Sequence, residues 1–452
     1  MQSKLNYRRT FLIGLAFLSI SAFWTLYDNI VPLILQETFG LGETVTGTVM
    51  AMDNVLAVFL LPLFGSLSDK VDTRFGKRMP FIVGGTVLAS IFIMMMPMAD
   101  RGENFVWFVI ALFAALLAMG TYRSPAVALM PDLTPNSLRS KANAIINLMG
   151  AVGGVYTLIM IRILVGGGKR PDYLPLFVSV VALMVITVGI LMITIKENVL
   201  KKKLAIELNE DAEKTESEPA PQVASDVKET DRADTEVKTK EKQPVKTVLA
   251  PEVKRSMYFM LASIFFWFTA YNAVTTAFSR YTKVVWKMEG GGFADCLMVA
   301  TVAAIISYIP IGHIAAKFGR KKTIMGGVLL MTACYGTAVL AGTYHPAINI
   351  VFALIGMAWA AINVNSYPMI VAMSKGSDIG KFTGTYYTFS MAAQIFTPIL
   401  SGFLLENISY RVLFPYAVVF SALAFLTMTQ VRHGDVKPEK KASMLENFDI
   451  ED

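Results

Sequence analysis

Four ionisable residues stand inside long apolar stretches of the sequence: Asp28, Asp53, Arg123 and Arg162. A charge inside the hydrocarbon layer of a membrane is costly, so such residues usually serve a function. Burial favours the protonated form of a carboxylate, whereas a neighbouring guanidinium favours the charged form. A movement that changes the burial of the carboxylate or its distance from the guanidinium would therefore load or release a proton. We predict that Asp53 or Asp28 carries a proton, with Asp53 favoured by its depth, and that the two arginines balance the two carboxylates.

Two alternatives use the same residues. The four charges would also form a fixed ion-pair network that only holds helices together. Each aspartate is followed by an asparagine, Asn29 or Asn54, and carboxylate with amide oxygens also suits a hard cation such as sodium. The histidines and the two cysteines show no metal-ligand spacing, and no phosphate-binding loop is present. We therefore expect no metal site, no cofactor and no enzymatic activity.

Aromatic and amide side chains recur at helical spacing in the same stretches. Trp359, Asn363 and Tyr367 are four residues apart, which places them on one helical face. Amides and tyrosines pair with hydroxyl groups while aromatic rings stack on C–H surfaces, so we predict a cavity for a sugar; the alternative is that these side chains only pack helices together. The predicted substrate-binding residues are Trp24, Tyr27, Asn29, Asn54, Tyr122, Asn147, Trp267, Tyr271, Asn272, Trp359, Asn363, Tyr367, Tyr387 and Gln394.

Twelve apolar stretches must position these residues. With 54% hydrophobic and 17% charged residues, the chain cannot be an ordinary water-soluble globule. Each stretch is long enough to cross a ~30 Å hydrocarbon layer as a helix. The predicted spans are 8–33, 44–66, 79–98, 105–130, 140–165, 174–195, 255–281, 292–315, 323–342, 346–373, 382–404 and 411–431. The predicted fold class is an all-α membrane protein with 12 transmembrane helices in two pseudo-symmetric six-helix bundles.

An internal repeat supports the division into two bundles. The basic loop 74–78 returns as 317–321, an offset of 243 residues, and the same offset relates Trp24 to Trp267 and Asn29 to Asn272. Repeats of this kind occur in transporters that rock around a central site. The predicted domains are an N-terminal bundle (1–196), a disordered charged linker without aromatic residues or glycine (197–250), a C-terminal bundle (251–432) and a polar tail (433–452).

The distribution of basic residues predicts the orientation. Lysine and arginine concentrate in cytoplasmic loops of membrane proteins, and here they concentrate after the second, fourth, eighth and tenth spans. We therefore predict a multi-pass protein of the cell membrane with both termini in the cytoplasm. The net charge of +7 fits anionic lipid headgroups better than nucleic acid, and we expect a monomer.

The loop after the second span carries a family resemblance. Gly65-Ser66-Leu67-Ser68-Asp69-Lys70 leads into Arg74-Phe75-Gly76-Lys77-Arg78-Met79-Pro80. This stretch resembles the signature loop of the major facilitator superfamily, and its ending is similar to that of proton-coupled sucrose transporters. The whole chain resembles the glycoside, pentoside and hexuronide cation symporters in layout. Lys77 and Met79 replace two of the three arginines of the sucrose type, so the resemblance is to the wider group.

The resemblance implies that this loop is a latch. Asp69 can accept charge-assisted hydrogen bonds from arginines and from a helix N-terminus, which would close the cytoplasmic side in one state. The alternative is that the basic residues only anchor the protein at the membrane. In the second copy Gly312 and Ala316 stand where an acidic residue is expected, so we predict the latch and the coupling in the first half. The predicted gate residues are Gly65, Asp69, Arg74, Gly76, Arg78 and Arg139.

These observations predict a sugar–proton symporter that works by alternating access, with a disaccharide or glycoside as substrate. One rival is a proton-coupled exporter, which shares the fold. A sodium-coupled symporter and a non-transporting sensor that binds partners through its linker are further alternatives. A channel is disfavoured because repeated halves indicate two rocking bundles rather than a fixed pore.

Overall fold

The computed structural model describes residues 5–135, 138–168, 170–216, 250–373 and 379–435. Within these ranges the chain forms thirteen α-helices. Twelve of them are long and apolar enough to span a membrane, which confirms the predicted spans; the exception is α7. The helices are α1 (Tyr7–Glu37), α2 (Glu43–Lys70), α3 (Met79–Arg101), α4 (Phe105–Asp132), α5 (Arg139–Leu164), α6 (Leu174–Thr194), α7 (Glu197–Glu216), α8 (Pro251–Val284), α9 (Phe293–Phe318), α10 (Arg320–Val339), α11 (Ile348–Ala372), α12 (Ile379–Asn407) and α13 (Leu413–Thr429).

Local signals set several helix starts. Asn6 accepts a hydrogen bond from the backbone N–H of Arg9 at the start of α1, and Asn104 accepts one from Trp107 at the start of α4. These side chains satisfy N–H groups that have no partner within the helix. Proline stands in the first turn of α3, α6 and α8, where its missing N–H is not needed.

The helices form two bundles that repeat the same packing. In the first bundle α1 packs against α5 and α6, and α4 packs against α2 and α3. In the second bundle α8 packs against α12 and α13, and α11 packs against α9 and α10. The bundles meet where α2 contacts α12, where α5 contacts α9 and where α1 contacts α8. The duplication seen in the sequence is therefore a duplication of structure.

We name the two faces by their loops. The near face carries Leu5, the α2–α3 loop, the α9–α10 loop and the end of α13, and the far face carries the α1–α2 and α12–α13 loops. Glycine allows close contact between the bundles toward the far face. A Cβ atom on Gly47 of α2 would lie 2.0 Å from the carbonyl oxygen of Pro398 of α12, so any larger residue would force these helices apart.

The linker begins as ordered structure. The prediction was a disordered linker over 197–250 that is helical only near its start, at 201–208; helix α7 covers Glu197–Glu216, and the side chain of Glu197 is 0% exposed. The charged sequence here is rich in leucine, lysine and glutamate, which favour helix. Residues 217–249 of the predicted linker, and the predicted tail from residue 436 onward, lie outside the described residues.

Candidate functional site

A cavity of about 350 Å³ lies between the two bundles. Its first wall comes from α1 and α5, and its second wall comes from α8, α9, α10 and α11. Phe17, Ser21, Thr25 and Asp28 all line it, and their spacing of three to four residues gives α1 one continuous face toward the cavity. The centre of the molecule therefore holds a chamber of the size that small-molecule sites usually have.

The cavity contains four of the predicted residues: Asp28, Asn29, Asn147 and Tyr271. It also has polar lining residues that the sequence analysis did not identify. Hydroxyl side chains dominate this second group, and a helical-face count along α1, α8 and α9 would have found most of them. The missed polar residues are Ser21, Thr25, Thr275, Thr301, Tyr308 and Tyr335.

Three predicted aromatic residues pack inside the bundles instead. The Tyr27 hydroxyl donates a hydrogen bond to the carbonyl oxygen of Met50, and the Tyr122 hydroxyl donates one to Ala16 at 2.8 Å. Trp267 is 0% exposed. These side chains hold neighbouring helices together rather than facing the cavity.

Other predicted residues lie behind the lining or away from it. Trp359 stacks on Tyr271 with ring centroids 3.8 Å apart and planes 6° apart, so it supports a residue that does line the cavity. The Tyr367 hydroxyl pairs with Thr383 at 2.9 Å. The residues that do not line this cavity are Trp24, Tyr27, Asn54, Tyr122, Trp267, Asn272, Trp359, Asn363, Tyr367, Tyr387 and Gln394.

Three of the four predicted intramembrane charges come together beside the cavity. Asp28 and Asp53 interact electrostatically, and Arg123 interacts with Asp53. Asp53 also accepts hydrogen bonds from the backbone N–H and the side-chain amide of Asn54, at 2.6 and 2.7 Å. The guanidinium of Arg123 lies 5.6 Å above the ring of Trp24, a cation–π contact. Trp24 is therefore a neighbour of the charges rather than part of the cavity wall.

Arg162 does not join this cluster. It lies in the last turn of α5, and its Nε donates to Asp295 of α9 at 3.0 Å. Its side chain is 55% exposed. The four residues from the cavity-lining Leu158 to Arg162 correspond to about 6 Å of helix. Arg162 thus contacts the opposite bundle at the far face instead of balancing Asp28 or Asp53.

Two more ion pairs join the bundles at the far face. Arg280 of α8 donates through Nε to both carboxylate oxygens of Glu43 of α2, at 3.0 and 2.9 Å. Both side chains are almost fully buried, and the Tyr410 hydroxyl also donates to Glu43. Lys283 of α8 pairs with Glu37 of α1 at 2.5 Å. The far face is therefore closed by charged contacts that the sequence analysis did not identify.

Glu406 makes a further contact of this kind. The N-cap position of α2 is Gly42, which has no side chain to accept a hydrogen bond. Glu406 of α12 accepts the Thr44 backbone N–H at 2.7 Å instead. One bundle thus caps a helix of the other bundle, and only while the far face is closed.

We expect Glu406→Ala to favour opening of the far face because the start of α2 loses its cap. The closed state alone loses this hydrogen bond, so the reactivity of a cysteine at buried position Thr46 should rise modestly, measured by alkylation in a protein without other cysteines. Glu103→Ala is the matched control because Glu103 pairs with Arg170 within the first bundle. Equal alkylation rates in Glu406→Ala and Glu103→Ala would contradict the capping role.

At the near face, Arg78 connects the ends of three helices. Its Nε donates to Asp132 of α4 at 2.9 Å, and its two terminal nitrogens donate to Ser68 and to Asp69 of α2, each at 2.5 Å. It also donates to the carbonyl oxygen of Gly65 at 3.3 Å. Arg78 is 6% exposed. The predicted pair of Asp69 with a basic residue of the loop is therefore present, inside the first bundle, and Asp132 is an additional acceptor.

Glu197 holds the other side of this loop. Its carboxylate accepts the backbone N–H groups of Lys77, Arg78 and Met79 at the start of α3. Gly76, with φ of +114°, lies directly against it. An anion at a helix N-terminus is favourable. The first residue of the linker therefore fixes the signature loop in place.

Two of the predicted gate residues do not take part. Arg74 lies over the ring of its neighbour Phe75 at 4.7 Å. Arg139 donates to the carbonyl oxygens of Pro131 and Thr134. The structure thus brings together Gly65, Asp69, Gly76 and Arg78, while Arg74 and Arg139 lie apart.

The second copy of the loop also has an acidic partner. Asp435 accepts the backbone N–H of Lys321 at 3.0 Å, and Gly319, with φ of +93°, lies against it. Asp435 is thus the counterpart of Glu197, whereas Gly312 stands at the position that corresponds to Asp69. In both copies an acidic residue that follows the last spanning helix of its bundle accepts a backbone N–H beside the loop glycine, and the first copy adds Asp69 at the end of the preceding span.

Outside the spans, Asp172 accepts two hydrogen bonds from Arg101 at the far face. This contact holds the pKa of the Asp172 carboxyl below its usual range. Both side chains are about half exposed, so the pair contributes little to stability.

Comparison with curated proteins finds similarity to sugar transporters. Sucrose transport protein SUC4 of Arabidopsis thaliana is 31% identical over 147 residues, which cover 29% of this chain and 29% of that protein. The isoprimeverose transporter of Lactiplantibacillus pentosus is 22% identical over 318 residues, which cover 68% of this chain and 58% of that protein. The matches therefore span only part of either relative.

Solved structures share the fold. A mutant of the nucleoside transporter NupG superposes with a TM-score of 0.66 at 13% identity, covering 94% of this chain and 100% of that one. The xylose transporter XylE from E. coli, in its inward open conformation, gives a TM-score of 0.62 at 14% identity and covers 98% of both chains. At these identities the similarity concerns the fold alone.

A sequence profile decides the family. The profile of the Major Facilitator Superfamily matches residues 11–294 and 290–447. This match shows that the chain belongs to the Major Facilitator Superfamily, and its twelve candidate spans make it a multi-pass membrane protein.

Proposed function

We propose that the protein transports a sugar or glycoside together with a proton, and that its near face is the cytoplasmic one. The observation that carries this proposal is the double role of Asp28, which lines the cavity and interacts with Asp53. A carboxylate in the wall of a substrate cavity interacts both with the substrate and with the neighbouring charge. Binding of substrate and binding of a proton can therefore depend on each other at this point.

The chemistry of the cavity supports a neutral, hydroxyl-rich substrate. Asn29 and Asn147 provide amides, and hydroxyl side chains surround them. Among the described residues that line the cavity there is no lysine or arginine, so an anionic substrate would lack a counter-charge. Sucrose and isoprimeverose, the sugars in the names of two relatives, are neutral and rich in hydroxyl groups.

The contacts of Asp53 favour a proton over sodium. One oxygen of its carboxylate is occupied by two N–H donors from Asn54. A sodium ion needs several oxygen ligands in that space, whereas a proton needs only one lone pair.

Alternating access relates this structure to one side of the membrane. In this structure the far-face contacts hold the bundles together, and we propose that this face is extracellular because the near-face loops carry most of the basic residues. Substrate would then leave the cavity toward the cytoplasm in this state. Opening to the outside requires the separation of Glu43 from Arg280 and of Lys283 from Glu37.

Transport in proteoliposomes tests the proposal. Uptake of radiolabelled glucose, xylose, sucrose and isoprimeverose should be measured with an inward proton gradient, an inward sodium gradient, or neither. We expect at least one of these sugars to accumulate only with the proton gradient. Accumulation driven by sodium would overturn the coupling, and proton-driven extrusion of amphiphiles without sugar uptake would identify an exporter instead.

A further inference from the structure

The central cavity extends into the interior of the second bundle. Tyr335 of α10 and Phe352 of α11 line it there. Helix α10 packs against α9, α11 and α13 of its own bundle, so a residue of α10 is reached only by passing between helices of that bundle. We call this part of the cavity the α10 recess and define it by Val274, Tyr335, Phe352 and Ile355.

The α10 recess is apolar except for one group. Phe352 packs against Phe278 with ring centroids 4.7 Å apart, and Val274 and Ile355 are aliphatic. The Tyr335 side chain is 0% exposed, and its hydroxyl has no hydrogen-bond partner among the residues that the structure describes. An unpaired buried hydroxyl is costly and calls for an explanation, such as a ligand that is absent.

The opposite wall carries a second unpaired group. Asn29 of α1 is 5% exposed, and its amide nitrogen donates to the carbonyl oxygen of Thr25 at 2.9 Å. Its amide oxygen, however, has no donor in the described part of the chain. That oxygen can only accept, so its missing partner must be a donor such as a hydroxyl group.

We propose that Tyr335 and Asn29 are specificity-determining contacts that bind two different hydroxyl groups of one substrate. The sugar donates a hydroxyl to the Asn29 oxygen on the first bundle. Its other end enters the α10 recess, where a C–H face packs on Phe352 and a second hydroxyl pairs with Tyr335. A substrate bound in this way connects both bundles. This inference rests on the proposed sugar transport and adds which residues select the sugar.

Tyr335→Phe tests the inference because it removes only the hydroxyl. Binding of sucrose and isoprimeverose to the purified protein should be measured by calorimetry, followed by the monodeoxy derivatives of whichever sugar binds. We expect Tyr335→Phe to weaken the parent sugar about tenfold, the effect of one hydrogen bond in a buried site. It should leave unchanged the affinity of the one derivative that lacks the paired hydroxyl. Without substrate, its melting temperature should equal or exceed that of the wild type.

The matched control is Tyr416→Phe, which removes the hydroxyl of another buried tyrosine, on α13 and outside the cavity lining. It should not change the affinity for any sugar. Unchanged affinity of the parent sugar for Tyr335→Phe, or an equal loss for every derivative, would overturn the role of Tyr335 while leaving sugar transport intact. If the wild type binds none of the sugars, the proposed function fails and this inference fails with it.

Discussion

Asp53→Asn is expected to abolish uphill sugar uptake while leaving sugar binding intact. The substitution keeps the size of the side chain but removes the group that takes up a proton. Asp53 does not line the cavity, so the substrate should bind with nearly unchanged affinity. In proteoliposomes with a pH difference of about one unit, accumulation should fall from up to about tenfold for one proton per sugar to none, because one unit is a tenfold proton ratio.

Comparison of Asp28→Asn with Asp53→Asn separates coupling from binding. Asp28 lines the cavity, so its substitution should reduce both accumulation and sugar affinity. Exchange of labelled for unlabelled sugar, which needs no net proton movement, should persist in Asp53→Asn. Asp172→Asn is the control, since Asp172 lies at the exposed far face. Full concentrative uptake by Asp53→Asn would show that this residue is not the proton carrier.

Breaking the pair of Glu43 with Arg280 is expected to have the largest effect on conformation. Glu43→Gln leaves the buried Arg280 without its counter-charge, and an uncompensated buried charge costs about 3–5 kcal/mol. That cost applies to the closed far face, where the pair exists. The equilibrium should shift toward the far-open state by two orders of magnitude or more, seen as faster alkylation of a cysteine at Thr46, with a lower melting temperature.

The double variant Glu43→Gln/Arg280→Gln should recover part of this loss, because it removes both charges and leaves no unpaired one. Asp172→Asn is again the control, because its pair with Arg101 is exposed and within one bundle. The interpretation fails if Glu43→Gln or Arg280→Gln has the alkylation rate and melting temperature of the wild type. It also fails if the double variant is alkylated faster and melts at a lower temperature than both single variants.

The fold was predictable because its signals are local or repeated. Apolar stretches of sufficient length determine the spans, and the offset of 243 residues between the two basic loops reveals the duplication. Asp28, Asp53 and Arg123 were recognisable because a charge in an apolar stretch needs no structural information to be noticed.

The composition of the cavity wall was much less predictable. Tyr27 of the cavity-lining helix α1 and Tyr122 of α4 are aromatic, but they face their own bundle and donate to backbone carbonyl oxygens. An aromatic residue in a membrane helix can line a cavity or pack against neighbouring helices, and only the rotation of the helix about its axis decides between these roles. The hydroxyl residues that do line the cavity, such as Thr25 and Thr275, have no feature in the sequence that separates them from ordinary helix residues.

The ion pairs at the far face could not be predicted from the sequence for a different reason. Glu43 and Arg280 are 237 positions apart, and each stands close to the end of a predicted span, where charges are common. Arg162 was assigned to the coupling site because it lies within a predicted span, although its partner is Asp295 of the other bundle. Contacts between bundles depend on the conformational state, which one sequence does not specify.

The contact of α2 with α12 and the contact of α5 with α9 are related by the internal repeat, since α2 corresponds to α9 and α5 corresponds to α12. In a two-fold symmetric homodimer, surface i meets j and surface j meets i, so this chain resembles such a dimer fused into one polypeptide. Because the two units are fused in one chain, their sequences can differ. At 243 positions after Asp28, Asp53 and Arg123 stand Tyr271, Cys296 and Ser366. A true homodimer would carry these charges twice around its central cavity, whereas the fused chain carries them once.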